Sequence, residues 1–532
     1  MAAEEEGGIP LPPAQVPRYW VRPKGALDLF EISLRAFWLN TSLSVPVLLL
    51  HGLSSLGPLL TIVITIFTAT YLASEGVLRA LVDAVVREDL YLLLQVLSTP
   101  EVMWALYLAL ALGFVVFLIT RSLGIAFAYS GLYKMAEELL TEGKTSLRTF
   151  VVNSEKNWRE LFPIAILTET LIFLPPFLIG LLFMAQLLGM VGLTNLGELS
   201  MWVLIAFLPI GFYLLLVVIA TFFIYTVAAL EPGKGFLYYA GESVRAVLKR
   251  PEAVLVYVLF KTAFLIGLSL LASLISVLGV VISSLISLII VLVLEPCFQV
   301  VKTGIYIQAK DRLVLLRPGR WAVGAAASRT LGRSFRELKA FLSDGSNWVL
   351  VLLSSLTFLL GLSIGGWIGL MGEMRYAARL LGFIRTGRLR EEFQWPFSPF
   401  TGFYIAFYNW KLALASSTAG YAACIPVLLF LFTNGLIVGL VAALIGNAWM
   451  ALAALLPHGV IEVPAFLIAS ACGLRMGLIY LAYRRRDLTP EEAVKALRTC
   501  IYALVGLIPL FLIAGLVEAL VTPLVMRLYG WR

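Results

Sequence analysis

Histidine is almost missing from this chain, with two in 532 residues, and charge of either sign is scarce. Asp, Glu, Lys and Arg together make 14% of the sequence, against about 25% in a soluble domain. That shortage, with 60% hydrophobic residues and a mean hydropathy of +0.94, excludes a soluble fold and predicts an all-α, polytopic integral membrane protein. The four cysteines, Cys297, Cys424, Cys472 and Cys500, match neither a zinc-site spacing nor a disulfide framework and read as small buried residues. No phosphate-binding glycine loop, nucleophile elbow or Cys/His cluster is present, so no soluble nucleotide-hydrolysing unit is expected. No cofactor and no resident metal is expected. The formal charge of +8 comes from Lys and Arg in loops beside apolar segments, as the positive-inside pattern requires, and nothing in it suggests a nucleic-acid partner. Residues 1–23 are acidic, then proline-rich, the wrong order for a signal peptide, and read as a disordered cytoplasmic tail.

Apolar runs of spanning length divide the chain into about eleven predicted spans. Six fall in a domain over 24–333, at 43–71, 103–130, 160–189, 201–229, 252–277 and 280–306. Five fall in a domain over 334–532, at 347–371, 410–432, 436–456, 459–482 and 499–525. The basic segments 18–42, 131–159, 231–251, 307–345 and 483–498 then lie on one side. This predicts a cytoplasmic N-terminus and an external C-terminus in a cell membrane. The 372–409 loop is basic yet external, and its prolines and aromatics suggest a small cap.

Four basic segments begin alike: Ser33-Leu34-Arg35, Ser146-Leu147-Arg148, Ser243-Val244-Arg245 and Ser334-Phe335-Arg336. Each leads through a short amphipathic stretch to an elbow, at Asn40, Asn157, Pro251 or Asn347, and then into an apolar span. An amphipathic helix with a basic polar face lies in the headgroup plane. The expectation is an internal repeat of helical hairpins led in by interfacial helices.

The most informative stretch is Leu456-Pro457-His458-Gly459-Val460-Ile461-Glu462-Val463-Pro464-Ala465. Pro457 and Gly459 predict a tight turn between spans, as do Asn434 and Gly435 at the opposite face. Pro464 interrupts the helix that follows. His458 and Glu462, four apart, share a helix face, and Glu518 in the last span falls at a similar depth. His with two carboxylates is a set that a divalent metal or a proton relay uses, provided Glu518 faces the pair; otherwise the segment is a structural hinge. Arg475 lies about 20 Å further along and is excluded as a partner of Glu462 within that helix. Glu169 and Lys261 fall at similar depths and are expected to pair. Small residues spaced four apart, Gly361/Gly365, Gly435/Gly439 and Gly473/Gly477, allow close helix contact, within the chain or with a second copy.

Asn409-Trp410-Lys411, Phe432-Thr433-Asn434-Gly435 and the Pro-His-Gly…Glu stretch, followed by Gly473-Leu474-Arg475-Met476-Gly477, make residues 334–532 resemble the stage II sporulation protein M family. One asparagine stands where that family typically has a pair. The six-span half loosely resembles the membrane domains attached to some glycerophosphodiester phosphodiesterases and related archaeal and bacterial membrane proteins, without their catalytic residues. The first resemblance implies a non-enzymatic scaffold or component of a membrane complex, acting in cell-envelope organisation or membrane remodelling. Its partners would be membrane lipids and a protein partner or a second copy. Two alternatives stand beside it: a transporter or lipid-handling protein with a path between the two halves, and an intramembrane metal-dependent hydrolase.

Overall fold

The computed structural model describes residues 25–38, 40–87, 89–187, 196–274, 286–312, 323–371, 374, 399–422 and 424–529. The expected N-terminal tail (residues 1–23) lies outside these residues, as does the expected 372–409 cap apart from residues 374 and 399–409, the latter being the start of a helix. Every described element is helical, as membrane depth demands of a backbone that must satisfy its own hydrogen bonds. Ten helices are long and apolar enough to cross a membrane among the described residues.

Helix α1 (Ala26–Phe37) buries Leu29, Ile32, Ser33, Ala36 and Phe37 along one stripe and carries the Glu31–Arg35 ion pair on the other face. Asn40 ends it. Its amide donates back to Ala36 O at 2.9 Å, and its carbonyl accepts from Thr145 N at 3.0 Å, which fixes the elbow before α2 (Ser44–Ser74). Short helices α3 (Val77–Val86) and α4 (Leu90–Leu97) lead to α5 (Pro100–Glu142), which packs antiparallel to α2 with Gly57 against Phe117 and Gly124 against Leu50. Then come α6 (Leu147–Leu187), α7 (Leu196–Thr221), α8 (Ile224–Leu230), α9 (Phe236–Lys249), α10 (Pro251–Leu274) and α11 (Glu295–Ala309). A π turn, Ile290–Leu294, precedes α11.

The repeat is present in three of its four units. Discrete amphipathic helices α1, α9 and α12 (Val323–Ser343) each stop at an elbow before a spanning helix. In the second unit Asn157 lies inside the unbroken α6, so no elbow forms there. The motif serines of these three discrete helices are buried: Ser33, Ser243 and Ser334. Ser243 Oγ accepts from Phe223 N at 2.8 Å, closing the break between α7 and α8.

The C-terminal helices are α13 (Gly345–Leu370), α14 (Pro399–Ala419), α15 (Ile425–Leu444), α16 (Ala448–Arg485), α17 (Pro490–Gly506) and α18 (Ile508–Leu516). A second π turn, Val517–Val521, joins α18 to α19 (Thr522–Leu528). Two expected turns are absent. Asn434 and Gly435 lie inside α15, and Pro457, His458, Gly459, Glu462 and Pro464 lie inside α16. The glycines serve close approach instead of positive φ. A Cβ on Gly435 would meet Phe358 O at 2.1 Å, and one on Gly365 would meet Leu436 O at 1.9 Å, so α13 and α15 run parallel in backbone contact. Asn434 bonds back to Phe430 O within its own helix. Gly473 and Gly477 are used the same way, against Ser417 and Gly420.

The two halves share one core. Gly52 of α2 meets Ala415 of α14, Phe127 packs edge-on against Tyr480 at 5.7 Å, and Lys411 Nζ donates to Ser287 Oγ at 3.0 Å. A single apolar cluster runs from Leu29 through Phe127 to Tyr480 and Phe511. Among the described residues the two halves are therefore joined by packed side chains and not by the chain connection alone.

Candidate functional site

His458 and Glu518 each lie about 15 Å from the helix ends of α16 and α19 that face away from the basic elbows, at 1.5 Å per residue. This corrects the expectation of a turn at the bilayer edge: the cluster is about three helical turns inside. One ligand atom from each of His458, Glu462 and Glu518 lies within 4.8 Å of the others, so Glu518 does face the pair. The π turn makes this possible. Pro523 removes a donor from the helix, and the widened turn Val517–Val521 re-aims Glu518 inward. Glu462 Oε1 accepts from Asn409 Nδ2 at 2.7 Å. His458 Nδ1 lies 3.2 Å from Thr522 Oγ1, which also donates to Val517 O at 3.3 Å. A cavity of about 190 Å³ opens beside His458 and Glu518, walled by Thr401 and Met526. Arg475 is absent from the cluster, as expected, and its guanidinium lies 3.5 Å from Ser346 Oγ at the start of α13.

A second site was only half visible in the sequence. The expected Glu169–Lys261 pair does not form. Glu169, 3% exposed, accepts from Arg121 Nε at 2.5 Å and from Tyr225 at 2.9 Å. Lys261 pairs with Glu295 at 3.2 Å instead. Similar depth was correct, but depth does not fix the azimuth of a side chain around its helix. All four charges line one cavity of about 380 Å³ inside the N-terminal domain, with Lys302 as a fifth. Lys302 lies 4.9 Å from the centre of the Phe222 ring and has no hydrogen bond or ion pair among the described residues.

The cavity also stands on a π turn. Pro296 cannot donate to Leu292 O, and the freed carbonyl takes a hydrogen bond from Ser44 Oγ at 2.6 Å. The turn Ile290–Leu294 then delivers Glu295 to the cavity wall, where Gln299 Nε2 donates to it at 2.6 Å and Tyr133 donates to Gln299 at 2.9 Å. In both sites a proline follows a π turn that places a carboxylate. The Glu-Pro and Thr-Pro dipeptides inside apolar runs were the available signal, and the sequence reading used neither.

Residues 351–523 match the family model described as stage II sporulation protein M. The matched segment contains Asn409, His458, Glu462 and Glu518, and the C-terminal resemblance is therefore borne out. Comparison with curated proteins and with solved structures returns no match.

Proposed function

We propose that this chain, whose C-terminal domain belongs to the stage II sporulation protein M family, is a multi-pass membrane protein that holds the anionic head group of a membrane lipid in the cavity of its N-terminal domain. The observation that carries this reading is the charge count of the cavity: three cations, Arg121, Lys261 and Lys302, against two carboxylates, Glu169 and Glu295. Each carboxylate is matched by one cation, which leaves Lys302 over. An uncompensated lysine at membrane depth costs about 2.5–3.5 kcal/mol, and an anion beside it offsets that cost. Val258 lines the cavity and is 40% exposed on the outward side of α10, so the cavity borders the lipid-facing surface. Its volume, about 380 Å³, lies in the range of small-ligand pockets and suits a head group better than a whole lipid. The reading is one of binding, not catalysis. Positive-inside charge supports a cytoplasmic face at α1, α9 and α12, with the C-terminus outside.

The test is native mass spectrometry of delipidated protein given phosphatidylglycerol or phosphatidylcholine. Preferential retention of phosphatidylglycerol, reduced at least tenfold by Lys302→Met, is expected. Equal retention of both lipids, or an unchanged preference in the variant, contradicts the reading. The methionine keeps the side-chain volume and removes a buried charge, so folding is expected to persist.

A scaffold role in a membrane complex is a second reading, favoured by the three elbow helices α1, α9 and α12, since in-plane helices respond to curvature and lipid composition. A protein partner or second copy that co-purifies, or a change in liposome shape on reconstitution, is its expected signature. A lone monomer with no effect on liposomes removes it.

A further inference from the structure

We infer that His458, Glu462 and Glu518 form a binding site for a divalent transition-metal ion of zinc type. The set offers one imidazole nitrogen and two carboxylates, with ligand atoms that all lie within 4.8 Å of one another. Zinc bonds of about 2.0–2.2 Å in tetrahedral geometry place ligand atoms about 3.3–3.5 Å apart, so the three groups need to close by up to about 1.5 Å. Rotation of two glutamate side chains supplies that. An imidazole donor disfavours calcium and magnesium, which take oxygen.

The surroundings fit a metal shell. With its proton on Nδ1, His458 donates to the Thr522 hydroxyl 3.2 Å away, whose own hydrogen still reaches Val517 O at 3.3 Å. That hydrogen bond fixes the tautomer and leaves Nε2 with the lone pair a metal needs. Asn409 holds Glu462 by one oxygen and leaves the other available. Three protein ligands leave a fourth position open, and the cavity of about 190 Å³ beside His458 and Glu518 gives a water or a ligand room to fill it. Among the described residues neither Glu462 nor Glu518 lies within ion-pair distance of a Lys or Arg, although they stand about four and about three turns from the helix ends. Two adjacent carboxylates without a cation are costly there, and one divalent ion compensates both.

The full-length protein, purified in detergent and stripped with a chelator, is titrated with Zn2+ and, separately, with Co2+ as a spectroscopic probe. The expected result is one Zn2+ per chain and visible Co2+ absorption of the tetrahedral kind. His458→Ala, Glu462→Gln and Glu518→Gln each weaken affinity at least 100-fold. Thr522→Val and Asn409→Ala keep all three ligands and weaken it about tenfold, as loss of an outer-shell partner does. These two milder variants keep the test decisive should a ligand variant fail to fold. Zn2+ uptake well below one per chain at excess metal overturns the inference, as does a stoichiometric site whose affinity is unchanged in the Thr522 and Asn409 variants and in every ligand variant that folds. A proton shared between the carboxylates would give the first of these results.

Discussion

Adding one methyl group to Gly365 is the sharpest test of the C-terminal packing. A Cβ there would lie 1.9 Å from Leu436 O and 2.9 Å from Leu436 Cα, where ordinary contact begins at 3.4 Å. The deficit of about 1.5 Å cannot be met by a rotamer change, because the opposing atoms are backbone. Helices α13 and α15 must part, and Gly361, Gly435 and Gly439 stand in the same seam, where an added Cβ would lie 2.0–2.1 Å from opposing carbonyl oxygens. Overpacking of this kind costs about 1–3 kcal/mol or more, and alanine returns at most about 1 kcal/mol in helix propensity. Gly365→Ala is therefore expected to be clearly destabilised. The matched control is Gly459→Ala. That position has nothing within 4 Å of the added atom and lies inside α16, so the same substitution is expected to be neutral or to stabilise by up to about 1 kcal/mol. Thermal unfolding of both variants in one detergent, with size-exclusion elution as a check on assembly, reads the difference. A neutral Gly365→Ala would refute the backbone contact. A strongly destabilised Gly459→Ala would refute the continuous helix and restore the turn that the Pro-His-Gly sequence suggests.

Two further outcomes follow from named contacts. Ser44→Ala removes the side-chain donor to Leu292 O below Pro296, and a cost of about 1–3 kcal/mol in thermal unfolding is expected; no change would mean the carbonyl finds another donor. On the basic face, hydrogen bonds from Lys310 and Arg245 hold the Glu242 carboxyl below its ordinary range. Glu231 is also held low: burial opposes this, but hydrogen bonds from Tyr306, Tyr238 and Lys310 outweigh it. Depressed carboxylates contribute stability above their ordinary value of 4.5 and lose it as pH falls through the folded value. Lys310 is raised, its bonds to Glu242 and Glu231 overcoming burial, so its contribution persists until alkaline pH passes its folded value. Unfolding temperature is thus expected to fall below about pH 4.5 and to fall less steeply in Glu242→Gln; identical acid profiles would exclude the network as the cause.

Composition with apolar runs of spanning length specified an all-helical membrane protein, because such unbroken runs suit helices and not the alternating strands of a barrel. The far-face cluster was legible too. A helix puts residues four apart on one face, and counting along two spans brought Glu518 to the depth of His458 and Glu462. What failed was the reading of glycine and proline. Asn434-Gly435 and Pro457-His458-Gly459 look like turns, since positive φ and helix breaking are what these residues do in water. Inside a bundle the same residues permit backbone contact or are absorbed into a long helix. Two of the five C-terminal spans were consequently displaced: 410–432 was expected where α14 runs Pro399–Ala419, and 436–456 where α15 runs Ile425–Leu444, while 347–371, 459–482 and 499–525 fall on described helices. The charged cavity was hidden for another reason. Glu169 and Lys261 gave their depths away, but their exchange of partners for Arg121 and Glu295 depends on helix rotation, which no span count contains. Lys302, near the end of the expected 280–306 span, was not singled out at all.

The central claim is that the cavity around Lys302 takes an anionic head group from the membrane. Single-particle imaging of the full chain in nanodiscs containing phosphatidylglycerol tests it most directly. The account predicts head-group density within hydrogen-bond reach of Lys302 Nζ, with the Arg121–Glu169 and Lys261–Glu295 pairs intact around it. A cavity closed by Lys302 turning onto a carboxylate, or filled by apolar chain alone, would contradict it.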